Sequence, residues 1–323
     1  MGFVVLEAGA RVHARLTAEP SFEEASAHRK PVETGGKATL GQMLRPTGDR
    51  RLYEFVPNLD VMFTGREVLI NADGFRGPVR PLAKPAGTTR VVGLGDSVMF
   101  GWGVGEGEDY LSVMARRLNA GGAGSWDVVN TAVPGYNTVM EVETLKKRGL
   151  AYHPDIVVVG YCVNDLELPP FFNDPPDVFA LRHSFLADFI GSRLWPDAAR
   201  QKAPGRYADL VGLPAFTRAA EELKALSQAR GFRVVILFFW NAPSDIKAVV
   251  KGLGFDLVTT HEAMRAYMER EGIQELRGST LSLTPEDSHP STIGHELMAE
   301  SLETGLQRAG LVPQSIAPAA TLK

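Results

Sequence analysis

The 323-residue chain is 44% hydrophobic and 22% charged, a balance typical of a globular protein. Its length is sufficient to bury the hydrophobic core of an α/β domain. Its formal net charge is -4, and it has no long basic run or basic helix face, which argues against nucleic acid as a partner. Cys162 is the single cysteine, so the chain can form neither an internal disulfide nor a zinc site built on paired cysteines.

The chain begins with a short apolar run, residues 2–6, that ends at Glu7. This run is far shorter than the roughly 20 apolar residues of a membrane span, and no signal-peptide cleavage pattern follows it. We therefore expect no transmembrane span in this chain. The run is either the remnant of an N-terminal anchor or a docked terminus, and a helix over residues 6–16 fits the pattern that follows.

Residues 1–89 are predicted to form an extension that precedes the main fold. Within it, residues 59–63 and 67–70 carry strand-forming side chains on either side of Thr64-Gly65-Arg66, a pattern typical of a β-hairpin. The chain is therefore predicted to divide into this extension, with its hairpin, and a second unit over residues 90–323.

From residue 90 onward, short apolar strands alternate with amphipathic helices. The strands are predicted at residues 91–94, 126–130, 155–161 and 233–240. The helices are predicted at residues 110–118, 139–147, 216–229, 262–271 and 293–306. Such alternation is typical of an α/β protein with a central parallel sheet covered on both faces, a three-layer α/β/α sandwich. In such sheets, ligands bind beyond the carboxyl ends of the strands.

A serine and a histidine stand in two of the loops that this fold would create. Ser97 follows the first strand directly after Gly95, and His289 lies two residues after Asp287 near the other end of the chain. A serine hydroxyl is a poor nucleophile unless an adjacent base takes its proton and an acid orients that base. The sequence therefore predicts Ser97 as nucleophile, His289 as base and Asp287 as orienting acid.

Two more loops after strands carry groups that can donate hydrogen bonds. Gly135 follows the second strand, where the absent side chain leaves its backbone N–H accessible. Asn164 follows the third strand and has a side-chain amide. In acyl transfer, fixed donors stabilise the negative charge that develops on the carbonyl oxygen. With the backbone N–H of Ser97, these groups would form an oxyanion hole.

Four sequence blocks, taken in order, resemble the SGNH (GDSL) hydrolase superfamily. The blocks are Gly95-Asp96-Ser97, Gly135, Asn164-Asp165 and His289-Pro290. The similarity extends over residues 90–311, and residues 71–76 and 100–104 are also similar to a bacterial branch of the superfamily. The resemblance implies an SGNH, flavodoxin-like fold, a serine nucleophile, a histidine base, and an oxyanion hole completed by the glycine N–H and the asparagine amide.

Two departures from the superfamily's pattern bear on the site. Cys162 stands two residues before Asn164, where the family often has glycine, and is expected to be a small buried residue. The usual Asp-x-x-His register places Glu286, not an aspartate, three residues before His289. Asp287 is favoured as the acid, Glu286 is the alternative, and a Ser–His dyad oriented by a backbone carbonyl stays open.

The candidate residues also have purely structural interpretations. Ser97 could be an ordinary helix N-cap, His289 a surface histidine before a proline, and Gly135 a turn residue. Trp102 and Tyr136 lie one loop from the proposed centre and are expected to line the acyl or alcohol pocket.

Residues 168–205 are rich in proline and aromatic side chains and follow directly on Asn164. This segment is expected to be either a lid or substrate wall, or a structural excursion that packs its own aromatic rings. Sequence alone leaves both interpretations open.

The resemblance implies a serine esterase that hydrolyses a small acyl ester, in particular an acetyl ester, on a small molecule or glycan. Three alternatives stay open: an O-acyltransferase using the same Ser–His centre, a lipase or thioesterase, and a non-catalytic glycan-binding module. No cofactor and no metal are expected, because the glycine-rich residues 101–107 lack the Lys-Ser/Thr ending of a P-loop and no His-Glu-x-x-His spacing occurs. The sequence leaves the compartment open between a bacterial cytoplasm and periplasm.

Overall fold

A computed structural model describes residues 2–17, 21–169, 171–172, 178–179, 181–194, 207–241 and 243–312. The strands are β1 (Leu44–Pro46), β2 (Tyr53–Phe55), β3 (Leu59–Phe63), β4 (Arg66–Ile70), β5 (Thr88–Gly95), β6 (Ser125–Asn130), β7 (Ile156–Tyr161), β8 (Arg233–Phe238) and β9 (Asp256–Thr259). The helices are α1 (Gly2–Thr17), α2 (Phe22–Ala27), α3 (Leu40–Met43), α4 (Ser97–Phe100), α5 (Tyr110–Ala120), α6 (Thr138–Lys147), α7 (Phe185–Leu194), α8 (Gly212–Arg230), α9 (Ser244–Gly252), α10 (His261–Glu271) and α11 (Thr292–Arg308).

Five parallel strands form the central sheet in the order β6-β5-β7-β8-β9. Helix α5 packs against α11, while α6 packs against α8 and α8 against α9, so helices flank the sheet in layers. Every residue of β7 is buried, because a strand covered on both faces needs apolar side chains in succession rather than in alternation. The predicted α/β fold with a central parallel sheet is confirmed.

The strand order places the candidate residues at one edge of the sheet. β5 lies between β6 and β7, so the chain leaves β5 toward one side and later returns to pair on the other. The carboxyl ends of parallel strands lie together, and the crevice where the strand order reverses is the usual ligand site in such sheets. Ser97 follows β5, Gly135 follows β6 and Asn164 follows β7.

The N-terminal residues add two small antiparallel pairs to the main sheet. β1 pairs with β2, and β3 pairs with β4 in a hairpin that sets Leu59 opposite Ile70 and Phe63 opposite Arg66. Buried side chains of this region, among them Tyr53, join the same apolar core as the central sheet. The division of the chain at residue 90 stays a prediction. Among the described residues, none of the helices has both the length and the apolar character that a membrane span needs.

Candidate active site

Ser97 is the first residue of the short helix α4, directly beyond the carboxyl end of β5. The preceding residue, Asp96, caps this helix, because its Oδ1 accepts a hydrogen bond from the backbone N–H of Val98 at 2.9 Å. The N-cap role therefore belongs to Asp96, and the hydroxyl of Ser97 is left for other contacts.

The imidazole of His289 lies between Ser97 and Asp287, although Ser97 is 192 residues away in the chain. His289 Nε2 is 2.8 Å from Ser97 Oγ, and His289 Nδ1 is 2.6 Å from Asp287 Oδ1. A carboxylate only accepts, so a neutral imidazole in this position donates through Nδ1 and presents Nε2 as an acceptor for the serine proton. This tautomer is the one that a general base for Ser97 requires.

The local backbone fixes which carboxylate faces the imidazole. Oδ1 of Asp287 also accepts the backbone N–H of His289 at 3.0 Å, which closes a tight turn around the acid. The carboxylate of Glu286 instead accepts from the Thr284 hydroxyl at 3.1 Å. Burial would raise the pKa of Asp287, but the hydrogen bonds from His289 and from Trp102 outweigh it and lower this pKa below its ordinary value.

The three candidate oxyanion donors lie on neighbouring strand ends. Asn164 donates from Nδ2 to Oδ2 of Asp96 at 3.1 Å, which holds the amide beside the serine loop. Among the described residues, no hydrogen-bond acceptor is found for the backbone N–H of Ser97 or of Gly135. Both N–H groups are therefore available to an oxygen that enters this end of the sheet.

The loop that carries Gly135 is fixed by contacts with the N-terminal region. The hydroxyl of Tyr53 donates to the carbonyl of Pro134 at 3.0 Å, and the hydroxyl of Tyr136 donates to the carbonyl of Tyr53. Tyr136 is only 1% exposed, and its ring packs on that of Tyr53 at 5.2 Å between centroids. The expectation that Tyr136 lines the substrate pocket is therefore wrong: its ring points into the core and anchors the loop.

Several acidic side chains are buried beneath the site. Burial raises the pKa of Asp96 and of Asp165, although both accept hydrogen bonds. It also raises the pKa of Glu141, whose two carboxylate oxygens have no hydrogen-bond partner among the described residues. Sequence reasoning missed Glu141, because a glutamate in an amphipathic helix is usually solvated.

Cys162 lies in this same buried environment. Burial, together with nearby Asp96 and Asp165, raises the pKa of the Cys162 thiol well above its ordinary value. A thiol that stays protonated is a weak nucleophile. The expectation of a small buried cysteine is met by its 7% exposure.

Only part of the segment over residues 168–205 is described. Pro169 and Phe171 lie against Gly135, so that a Cβ placed on the glycine would be 2.6 Å from Pro169 Cβ and 3.0 Å from Phe171 Cε1. Phe172 is buried and stacks on Phe22 at 5.4 Å between ring centroids. The start of the segment thus borders the site, and its buried Phe172 packs against the N-terminal region. Pro170, Pro175, Pro176 and Trp195 lie outside the described residues.

Similarity to solved structures is low in sequence and modest in structure. An acetyl xylan esterase, AlAXEase, is 16% identical with a TM-score of 0.45, and the match covers 67% of this chain and 99% of the esterase. A catalytic mutant of Axe2, an acetylxylan esterase from Geobacillus stearothermophilus, is 15% identical with a TM-score of 0.45, over 68% and 94% of the two chains. The lipase/acylhydrolase from Enterococcus faecalis is 18% identical with a TM-score of 0.43, and the match covers 72% of this chain and 98% of that protein.

A comparison with curated proteins gave no match. The sequence profile of the GDSL-like Lipase/Acylhydrolase family, by contrast, matches residues 94–297. This match covers more than half of the 323 residues and includes the serine, glycine, asparagine and histidine loops described above. The chain therefore belongs to the GDSL-like lipase/acylhydrolase family of SGNH hydrolases and is an ester-hydrolysing enzyme.

Proposed function

We propose that this chain is a serine esterase in which Ser97 attacks the ester carbonyl, His289 is the general base and Asp287 orients the imidazole. The observation that carries the proposal is the continuous hydrogen-bonded path from Asp287 Oδ1 through His289 to Ser97 Oγ, with distances of 2.6 and 2.8 Å. Both distances lie within the reach that proton transfer requires.

In the first half of the reaction, Ser97 Oγ bonds to the carbonyl carbon as His289 Nε2 takes the serine proton. The carbonyl oxygen becomes negatively charged, and the N–H groups of Ser97 and Gly135 and the amide of Asn164 donate to it. The C–O bond to the alcohol then breaks, and the alcohol leaves with the proton from His289. Ser97 is left as an acyl ester.

In the second half, water attacks the acyl-enzyme while His289 takes one of its protons. The bond between the acyl carbon and Ser97 Oγ then breaks, the carboxylic acid leaves, and His289 returns the proton to Ser97. In the described part of the chain, the side chains of His289 and Asp287 are 28% and 35% exposed, so water can reach them. This access favours hydrolysis over transfer to a second alcohol.

We propose an acetyl or similarly short acyl group on a carbohydrate hydroxyl as the substrate. Pro169 and Phe171 crowd Gly135, which favours a short acyl chain beside the proposed oxyanion hole. Phe171 is 41% exposed, and an exposed aromatic face is suited to packing against the apolar face of a sugar ring. The resemblance to bacterial SGNH hydrolases points to the same substrate class.

The proposal is tested by hydrolysis of p-nitrophenyl acetate, butyrate and octanoate, and by acetate release from acetylated xylo-oligosaccharides. We expect the highest kcat/KM with the acetyl ester and a decline toward octanoate. Ser97→Ala is expected to lower kcat by about 10⁶-fold, which leaves only the small residual catalysis that the oxyanion donors and substrate binding supply. Ser112→Ala, a serine of α5, is the matched control and is expected to retain wild-type rates.

Three outcomes would contradict parts of the proposal. Full activity in Ser97→Ala would refute the nucleophile. A preference for octanoate would refute the short acyl group and favour a lipase. Activity on p-nitrophenyl acetate without acetate release from any acetylated sugar would refute the carbohydrate alcohol.

A further inference from the structure

The indole of Trp102 contacts both the acid and the base of the proposed triad. Its Nε1–H donates to Oδ2 of Asp287 at 3.1 Å. Its ring lies on the imidazole of His289 with 5.0 Å between centroids and 16° between planes. The sequence-based expectation placed Trp102 on the substrate wall, but its polar atom and one ring face are engaged by the triad.

The two oxygens of Asp287 thereby have different partners. Oδ1 faces the imidazole and the backbone N–H of His289, while Oδ2 accepts from the indole. A carboxylate with a donor on each oxygen is held against rotation. A flat ring stacked on the imidazole similarly restricts rotation of that imidazole. Trp102 therefore constrains the orientation of both groups.

The β3–β4 hairpin also packs against the indole of Trp102. Phe63, the last residue of β3, packs edge-on against the indole with 4.8 Å between ring centroids and 81° between planes. The backbone N–H of Trp102 donates to the carbonyl of Ser97 at 3.0 Å. Trp102 is thus fixed to the nucleophile's loop through its backbone N–H and to the hairpin through its ring.

The loop that carries Trp102 is also clamped by a buried arginine from the N-terminal region. Arg76 is 5% exposed and follows the hairpin in the chain. Its guanidinium donates to three backbone carbonyls of this loop at 2.6 to 2.8 Å, those of Phe100, Gly101 and Val104. The rigid planar guanidinium suits such a set of fixed acceptors.

We propose that Trp102 is a positioning residue that keeps Asp287 and His289 in the orientation needed for proton transfer with Ser97. The β3–β4 hairpin supports it through Phe63. This inference rests on the proposed function, because only a working triad requires the orientation. A tryptophan that merely lined the substrate pocket would act on KM and on acyl preference; a positioning residue acts on kcat for every substrate.

The test compares Trp102→Phe with Trp126→Phe as a matched control. Trp102→Phe keeps an aromatic ring but loses the N–H donor. Trp126 is a buried indole of β6 whose Nε1–H donates to the carbonyl of Ala123 at 3.1 Å, away from the triad. Trp102→Phe is expected to lower kcat about 10- to 100-fold, the range for one hydrogen bond to a charged group. Its KM for acetate and butyrate esters should change less than about twofold, and Trp126→Phe should keep wild-type kcat.

A second readout does not depend on substrate binding in the pocket. The proton shared by His289 Nδ1 and Asp287 should give a low-field ¹H NMR resonance in the wild type and in Trp126→Phe. It should move upfield or broaden in Trp102→Phe. Phe63→Leu keeps the indole and is expected to lower kcat below the wild-type value, though less than Trp102→Phe does, so it tests the inference even where Trp102→Phe fails to fold.

Wild-type kcat in Trp102→Phe, wild-type kcat in Phe63→Leu where Trp102→Phe does not fold, or a change in KM alone would overturn the inference. The proposed function is judged separately by Ser97→Ala. An inactive Ser97→Ala together with a fully active Trp102→Phe would refute only the role of Trp102. An active Ser97→Ala would refute the triad itself.

Discussion

Asn164 donates its side-chain amide to the carboxylate of Asp96 at 3.1 Å, which ties the loop after β7 to the residue just before Ser97. An amide nitrogen carries two hydrogens, so one can serve Asp96 while the other faces a reacting oxygen. Burial raises the pKa of Asp96, although it accepts from Asn164 and Val98. This pair sets the direction of the candidate oxyanion donor.

Asn164→Ala is expected to lower kcat for p-nitrophenyl acetate by about 10² to 10³, because one oxyanion donor is lost. KM should change little, since the donor matters most in the transition state. Steady-state kinetics beside the wild type measure both values. Asp96→Asn, which keeps the size of the acceptor but disturbs its bond to Asn164, should give a smaller loss. A wild-type kcat in Asn164→Ala would remove Asn164 from the proposed mechanism.

Asp287→Asn and Glu286→Gln form a matched pair of acid-to-amide changes on neighbouring residues. Asp287→Asn is expected to lower kcat by about 10⁴, because the amide no longer holds the imidazole in the required tautomer. Glu286→Gln should stay near the wild type, since the Glu286 carboxylate accepts from Thr284. Equal losses in the two variants, or a larger loss in Glu286→Gln, would contradict the assignment of Asp287.

Gly135→Ala and Gly107→Ala separate backbone strain from steric contact. Both glycines have left-handed φ values, +81° and +75°, so alanine is strained at either position. At Gly135 the new Cβ would lie 2.6 Å from Pro169 Cβ and 3.0 Å from the Tyr53 hydroxyl, whereas at Gly107 it would have no neighbour within 4 Å among the residues that the structure describes.

We therefore expect Gly135→Ala to lower both the melting temperature and kcat more than Gly107→Ala does. Gly107→Ala should lose about 1 kcal/mol of unfolding free energy from strain alone and keep wild-type activity. Thermal unfolding monitored by circular dichroism, with kinetics on the same preparations, gives both values. Identical behaviour of the two variants would show that the packing of Pro169 against Gly135 has no influence on the site.

The buried His295 is expected to make the stability of the folded protein depend on pH. It is fully buried in α11, stacks on Tyr110 and has no hydrogen-bond partner for either ring nitrogen in the described part of the chain. Burial lowers the pKa of His295 from 6.5 to about 3. Below pH 6.5 the unfolded chain therefore takes up a proton that the folded chain does not, so the stability contributed by neutral His295 is present above pH 6.5 and declines as pH falls toward 3.

From pH 7 to pH 5, His295 should account for a loss of about 2 kcal/mol in the free energy of unfolding. In His295→Phe this part of the decline should disappear, while His28→Gln, which removes an exposed histidine, should follow the wild type. Urea unfolding at a series of pH values measures the difference. Parallel curves for His295→Phe and the wild type would show that His295 is protonated equally in both states.

The central sheet could be predicted from sequence because four of its strands are apolar runs covered on both faces. β9 was not predicted, since only Val258 of its four residues is fully buried, as is usual for an edge strand. Helix α9, which buries only Ile246 and Val250, was also not predicted. Short elements with little buried surface leave a weak hydrophobic pattern.

The loops of the site could be found from sequence, but the directions of their side chains could not. Ser97, Gly135 and Asn164 follow strands whose carboxyl ends must lie together, so their proximity follows from topology. Tyr136 directly follows Gly135, and Trp102 lies in the loop that follows Ser97 and its short helix, yet the first points into the core and the second contacts Asp287, 185 residues away. Such directions depend on tertiary packing, which local spacing does not encode.

The central claim is that His289 activates Ser97, and covalent labelling tests it most directly. The wild type and His289→Ala would be treated with a fluorophosphonate, and the modified residue identified by peptide mass spectrometry as a function of time. We predict modification of Ser97 in the wild type and a rate at least about 10³-fold lower in His289→Ala, because the hydroxyl then lacks its base. Labelling of another residue, or equal rates of Ser97 labelling in the two proteins, would contradict the account.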